Sequence, residues 1–169
     1  MPLSETASTF LGILACCGIL AAFAYQRRRF HGIWERGLKA YEDRRFDAAV
    51  SAFQRIVKKD PGLAVARRML GRSLISTGAF EQAEEHLQFA LQLEPRNAHA
   101  RVDMASLLAL TAPERQELAI DFIEEAIALE PELKAEVVGL EQLRSLRGNR
   151  RFRELAGIPE PDIEPARLN

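Results

Sequence analysis

The most constraining feature of the sequence is an internal repeat of 34 residues. This spacing separates three pairs of small residues and prolines: Gly37 and Gly71, Ala49 and Ala83, and Pro61 and Pro95. A third unit is two residues longer, so that Ala119 and Pro131 fall 36 positions after their counterparts. Self-similarity at such a period is the signature of a solenoid whose units pack on their neighbours. The sequence therefore predicts three units, at about 30–63, 64–97 and 98–133.

The pattern within one unit predicts two helices joined by a turn. In the second unit we expect a first helix over Ala64–Thr77, a turn at Gly78 and a second helix over Glu81–Leu93. The small residues Gly71 and Ala83 would let the two helices approach closely. The proline that closes each unit blocks further helix and suits the start of the next one.

The third unit must accommodate its two extra residues. We expect them in the turn between its helices, where added residues disturb the packing least. There, Thr111-Ala112-Pro113-Glu114 has the form of a capping box with proline in the first helical turn.

These features resemble the tetratricopeptide repeat (TPR) family. Its 34-residue unit carries small residues, a large apolar residue and a proline at positions that are occupied here by Gly37, Ala49, Phe53, Pro61, Gly71, Ala83, Leu87 and Pro95. The resemblance covers about residues 30–131 and implies an all-α fold of three helical hairpins with capping helices over 134–157. Within these, Lys134–Leu146 resembles the solvating helix that closes such arrays. The first unit departs from the pattern, having Arg44 where a turn glycine is expected.

The carboxy-terminal end shows a helix signal followed by an extended tail. Gly148 is typical of a helix stop, and Asn149 is a suitable cap for a short helix over Arg150–Leu155. Its apolar residues would cover the end of the last repeat. Residues 158–169 alternate prolines with acidic residues, which predicts an extended tail.

An uncharged run of 21 residues, 6–26, precedes the repeats. As a helix rising about 1.5 Å per residue it reaches about 31 Å, enough to cross a hydrocarbon core of about 30 Å. Arg27, Arg28 and Arg29 follow at once, and no Lys or Arg precedes the run. The positive-inside rule places the repeats in the cytoplasm and the N-terminus outside. The sequence thus predicts a single-pass signal anchor, in a bacterial inner membrane or, alternatively, an organellar membrane.

Three other interpretations of this run are disfavoured. A cleavable signal peptide could end at Ala22-Phe23-Ala24 but would need a positive n-region, which is absent. A lipoprotein could use Cys16, but the uncharged run continues well beyond it. A buried core helix would show a polar face, and this run has none. Gly18 and Ala22 form a small-xxx-small pair of the kind that lets membrane helices associate, a pattern that also occurs by chance.

No catalytic or metal-binding arrangement is apparent in the sequence. His31, His86 and His99 lack metal-ligand spacing with one another or with the adjacent Cys16 and Cys17. There is no phosphate loop, nucleophile elbow or zincin motif. The balance of 23 Lys+Arg against 24 Asp+Glu argues against a nucleic-acid binder. We therefore expect no enzyme activity, no cofactor and no metal.

The resemblance implies a groove lined by the first helix of each unit. The groove candidates are aromatic or apolar in the first unit, carry two arginines in the second and are mixed in the third: Trp34, Leu38, Tyr41, Arg68, Arg72, Ile75, His99 and Val102. Such a surface would suit a peptide or helix bearing an apolar anchor and a carboxylate. The alternative is that Trp34 and Tyr41 pack against their own hairpin and the arginines are merely solvated.

Charge is distributed unevenly along the chain. Residues 26–45 hold seven cations and three acids, and residues 114–136 hold eight acids and two cations. The basic stem suits anionic lipid, and the acidic third unit is a candidate surface for a basic partner.

The sequence as a whole predicts a membrane-anchored TPR scaffold that assembles or organises a membrane complex by binding other proteins. Two alternatives stay open: a protein-import receptor on an organellar membrane, and a constitutive structural subunit of a larger membrane complex.

Overall fold

The structure, a computed structural model, describes residues 31–159, and these residues form helices and turns without a β-strand. In chain order the elements are α1 (31–42), α2 (Phe46–Lys59), α3 (Ala64–Thr77), α4 (Phe80–Leu93), α5 (Ala98–Thr111), a 3-10 turn (Pro113–Arg115), α6 (Gln116–Leu129), α7 (Leu133–Gly139), a 3-10 segment (Glu141–Gly148) and α8 (Arg150–Ala156). The predicted anchor at 6–26, the three arginines after it and the tail from 160 onward lie outside the described residues. Of the helices between 31 and 159, none combines the length and the apolar character needed to cross a membrane.

The helices α3 and α4 pair into a hairpin, as do α5 and α6, and successive hairpins stack on one another. The helices α1 and α2 form the first hairpin, with Gly37 and Trp34 of α1 against Phe53 of α2. The all-helical repeat fold is confirmed. In the second unit the first helix is Ala64–Thr77, as predicted, while the second begins one residue before the predicted Glu81. Apolar residues from all three hairpins form one continuous core.

Close helix approach within a hairpin depends on the small residues of the repeat. A Cβ added at Gly71 would lie 2.7 Å from Leu87 Cγ, and one added at Gly37 would lie 2.9 Å from Phe53 Cζ. Leu87 and Phe53 are fully buried, as is Ala83. The repeated glycine is therefore the space into which the large apolar residue of the second helix packs.

The third turn is longer than the second, as the two extra residues predicted. Residues 112–115 separate α5 from α6 and contain the 3-10 turn, whereas only 78–79 separate α3 from α4. The predicted capping box is wrong. The Thr111 hydroxyl donates to the Leu107 carbonyl inside α5, and α6 begins without a side-chain cap. The physical reason is that Thr111 still belongs to α5, while Pro113 opens a turn rather than the helix.

The expected single helix over Lys134–Leu146 is broken at Leu140, whose backbone is extended. The 3-10 segment that follows buries Leu143 and Leu146 completely and packs along α5. A 3-10 helix has three residues per turn, so leucines spaced by three lie on one face. A search for apolar residues at the α-helical period alone overlooks this three-residue spacing.

The last helix begins as predicted. The Asn149 side chain accepts hydrogen bonds from the backbone N–H groups of Arg151 and Phe152, which caps α8. Phe152 is buried, so α8 covers the end of the array with an apolar side chain.

Candidate functional site

A chain of polar contacts joins the first helices of the three hairpins. Arg72 Nε on α3 donates to the Tyr41 hydroxyl on α1 at 3.2 Å and lies 3.7 Å from Asp103 Oδ1 on α5. Arg68 Nη1 donates to Asp103 Oδ2 at 3.2 Å. The helices α1, α3 and α5 therefore share one side of the array, which we call the first-helix face. It brings together three of the predicted groove residues, Tyr41, Arg68 and Arg72.

Asp103 is the residue at the centre of this chain, and it was not among the predicted site residues. It is only 6% exposed. Burial raises the pKa of its carboxyl, an effect that the guanidinium groups of Arg68 and Arg72 oppose without cancelling. The signal that could have found it is its isolation, because Asp103 is the one acidic residue in α5.

Arg72 is the more accessible of the two arginines, with 30% of its side chain exposed against 13% for Arg68. Desolvation by burial acts to lower the pKa of Arg72, but Asp103 and Tyr41 outweigh it and the net direction is upward. Arg68 and Arg72 together with Asp103 carry one net positive charge. Arg68 is mostly buried beside its carboxylate, so Arg72 is the cation that a ligand could reach.

The aromatic residues of the first unit contact their own hairpin and also keep exposed surface. The ring of Trp34 packs edge-on against Phe53 at 5.4 Å between centroids, and Tyr41 packs against Phe46 at the same distance. Trp34, Tyr41 and Leu38 are each partly buried at the edge of the core. These aromatic side chains therefore both pack against their own hairpin and offer exposed surface on the first-helix face.

The predicted groove residues further along are less accessible. Ile75 is 8% exposed and Val102 only 2%, so neither offers much surface to a partner. The 3-10 segment Glu141–Gly148 covers the end of α5, where the Ser145 hydroxyl donates to the Ala109 carbonyl. The open part of the first-helix face lies mainly in the first two units.

His99 lies at the opposite end of α5. Its ring nitrogens are 3.6 Å from Glu130 and 3.9 Å from Glu136, and the side chain is 44% exposed. No cluster of three His, Cys, Asp or Glu within 31–159 is arranged to hold a metal ion.

An open cavity lies between the first turn, which joins α1 to α2 at residues 43–45, and the 3-10 segment Glu141–Gly148. It has a volume of about 480 Å³ and is lined by Tyr41, Glu42, Arg44, Phe46, Ser76 and Gln142. A void of about 20 Å³ shares Tyr41, Ser76 and Gln142 with it and also touches Arg72 and Asp103. We call the larger space the turn cavity.

The acidic surface of the third unit is largely paired within the molecule. Arg151 on α8 contacts three acidic side chains of α6: Glu117, Asp121 and Glu124. Arg101 Nε donates to Glu125 at 2.7 Å. A basic partner would have to compete with these intramolecular cations for the same carboxylates.

Two family models, each described as Tetratricopeptide repeat, match residues 40–88 and 68–133. Together the two matches cover residues 40–133, and over this stretch the chain is similar to the tetratricopeptide repeat family. A chain in a solved structure titled "CopN-Scc3 complex" has a similar fold, with a TM-score of 0.56 and 21% sequence identity, over 66% of this chain and 68% of that one. At this identity the likeness shows the fold alone. No curated protein matches the chain.

Proposed function

We propose that the protein is a non-enzymatic scaffold that binds other proteins through the first two units of its first-helix face. The observation that carries the proposal is the partly exposed group of Trp34, Leu38 and Tyr41 on α1, of which Tyr41 lines the open turn cavity. Aromatic side chains held in place on one side and exposed on the other are typical anchors in protein interfaces. The structural neighbour is a protein complex by its title, which agrees with a binding role for this fold.

The same proposal includes the membrane. Residues 6–26 anchor the protein in a bacterial inner membrane, with the repeats in the cytoplasm and the basic stem at Arg27, Arg28 and Arg29 against anionic headgroups. The support is the uncharged run and the one-sided arginines of the sequence. A scaffold held in this way would collect partners next to the bilayer during assembly of a membrane complex.

Partner capture tests the binding face. The tagged full-length chain is purified from a mild detergent extract of its own cells, and co-purifying proteins are quantified by mass spectrometry. Leu38→Glu places a charge on the first-helix face. Leu93→Glu is the matched control, because Leu93 is an exposed leucine of α4, a second helix.

We expect Leu38→Glu to lose the captured proteins and Leu93→Glu to retain them. Equal capture by both variants and the unaltered chain would refute the proposal. A stoichiometric set that survives washing would identify a constitutive subunit, and a substoichiometric set of precursor proteins would favour the import receptor.

Fractionation tests the anchor separately. We expect the full chain to stay in the membrane pellet after alkaline extraction and a chain without residues 1–26 to be released. A tag at the carboxyl end should be protected from protease in intact spheroplasts. Release of the full chain by alkaline treatment would refute the membrane anchor without bearing on the proposed binding face.

A further inference from the structure

The first turn contains a residue in a conformation that it adopts at a cost. Arg44 has φ +59, in the left-handed region, where the Cβ of any residue other than glycine is crowded. The equivalent position of the second unit is Gly78, with φ +80. Strained residues of this kind cluster at functional sites, which makes Arg44 a candidate for a role that glycine could not fill.

The side chain of Arg44 is a cation at the turn cavity. It lines that space and makes no hydrogen bond or ion pair with another residue in the described part of the chain. Its neighbour Arg45, by contrast, pairs with Asp43 at 2.8 Å. Arg44 is therefore available for a ligand, and the cavity beside it is open.

Two charged residues, Arg44 and Glu42, line the turn cavity. Arg72 and Asp103 line the void behind it and lie 3.7 Å apart. Asp103 is occupied by the two arginines of α3, so Arg44 and Glu42 are the charges that an incoming group would meet. Of these two, Arg44 is the residue that is held in place at a conformational cost.

The remaining lining is apolar or neutral. Phe46 and Tyr41 form an aromatic wall, and Ser76 and Gln142 offer hydrogen-bonding groups without charge. An acidic side chain next to an apolar one would match this set, because the carboxylate pairs with arginine while its neighbour packs on the rings.

We propose that the turn cavity is a subsite for an acidic residue of the partner segment, with Arg44 as the pairing cation and Phe46 and Tyr41 holding the adjacent apolar side chain. The subsite rests on the proposed function, since it extends the same binding face. It also accounts for an arginine at a turn position that glycine would fill without strain.

Three substitutions separate the role of the charge from the role of the turn. Arg44→Gly removes the cation and supplies the residue found at the equivalent turn of the second unit. Arg44→Asn removes the cation while keeping a residue that tolerates the left-handed region. Glu42→Gln removes the competing carboxylate. Arg96→Gly, at an exposed arginine between α4 and α5, is the control for a lost positive charge elsewhere.

The probe is an immobilised peptide set in a Gly/Ser frame, in which a central Glu, Asp, Gln or Lys is flanked by Leu, Phe or Gly. The full-length protein in mild detergent should retain best on the peptides that combine an acid with Leu or Phe. We expect Arg44→Gly and Arg44→Asn to weaken this binding by about 1.5- to fivefold, the range for one exposed ion pair. Glu42→Gln should strengthen it by about twofold, and Arg96→Gly should leave it unchanged.

Retention of no peptide, or no preference for an acid, would overturn the subsite. So would unchanged acid preference in both Arg44 variants. Partner capture keeps this failure apart from failure of the proposed function. If Leu38→Glu loses the cellular partners while both Arg44 variants keep them and the acid preference, the binding face stands and the subsite falls.

Discussion

The first two hairpins have the same turn built from different residues. Arg44 donates its backbone N–H to the Tyr41 carbonyl and Arg45 to that of Ala40, and Gly78 and Ala79 make the same two bonds 34 residues later. In each case these bonds close the Schellman motif that ends a helix with one left-handed residue.

The comparison shows that the repeat specifies backbone and packing more strictly than residue type. At the helix crossing the glycine is retained in both units, because Phe53 and Leu87 occupy its space. At the turn, where nothing lies within 4 Å of a Cβ added at Gly78, the first unit departs from glycine. Between these two units, glycine is replaced where the cost is only conformational and is kept where a side chain would displace the core.

The largest expected effect is a loss of stability on truncating Phe53 or Leu87, the large apolar residues that pack against the crossing glycines. Phe53→Ala should lower the free energy of unfolding by about 3–5 kcal/mol and Leu87→Ala by about 2–5 kcal/mol, because each leaves a cavity at a fully buried position. Urea unfolding followed by far-ultraviolet circular dichroism measures both. Leu93→Ala, on an exposed leucine, should change stability by no more than about 0.5 kcal/mol. A cost of that small size for Phe53→Ala would mean that the first hairpin is not packed like the second.

The crossing glycines give a smaller and less symmetrical effect. Gly71→Ala should destabilise by up to about 2 kcal/mol, since overpacking against the branch point of Leu87 outweighs the helix propensity gained. Gly37→Ala meets the far end of the Phe53 ring, which moves more easily, so its cost should be lower. Gly32→Ala is the control, because nothing lies within 4 Å of its Cβ. It should stabilise α1 by about 0.5–1 kcal/mol. If Gly37→Ala proved the costlier of the two, the first crossing would be the tighter one.

The turns should respond with opposite signs. Gly78→Ala forces an L side chain into the left-handed region and should cost about 1–2 kcal/mol. Arg44→Gly relieves that crowding and should stabilise by up to about 1 kcal/mol, part of the gain being lost to the freer unfolded chain. Thermal unfolding of the two variants and the unaltered protein provides the comparison. Destabilisation by Arg44→Gly would show that the arginine side chain supports the turn itself.

The sequence predicts the structure correctly where a local rule determines it. Small residues at the repeat spacing predicted the helices of the second unit to within a residue, and the side-chain chemistry of Asn149 predicted the cap of α8. The predictions are wrong where packing between distant segments determines the structure. The break at Leu140 depends on how the carboxy-terminal segment lies along α5, which no pattern at the α-helical period contains.

The residues of the first-helix face show the same division between what the sequence predicted and what it did not. Register and resemblance placed Trp34, Tyr41 and Arg72 on the first helices, and of these Tyr41 and Arg72 are in contact. They also included Val102, which is buried in the structure. Asp103 was missed because its meaning comes from two arginines one repeat earlier. A buried carboxylate is recognised by the cations that neutralise it, and these are known only from the way the units stack.

The smallest effect is a pH dependence of the second hairpin at a position where the first hairpin has no titratable group. His86 of α4 occupies the position of Ala52 in α2, and its ring nitrogen Nδ1 lies 3.5 Å from Arg67 Nη1. Burial, and then the charge of Arg67, lower the pKa of His86 below its ordinary value of 6.5. Between the lowered pKa and 6.5 the unfolded chain binds more protons than the folded chain, so stability rises with pH. The contribution is complete above 6.5 and is lost as the pH falls through the folded pKa.

His86→Ala removes this titration and gives the second hairpin the residue of the first. The unfolding free energy of the unaltered protein minus that of the variant should therefore increase from pH 5 to pH 7.5 in urea titrations at fixed ionic strength. The change should be small because the ring is about half buried and water screens its charge. Arg67→Gln should reduce the slope, since it removes one of the two causes and leaves burial in place. A slope of the opposite sign would mean that Glu85, which raises the pKa of His86, outweighs both burial and Arg67.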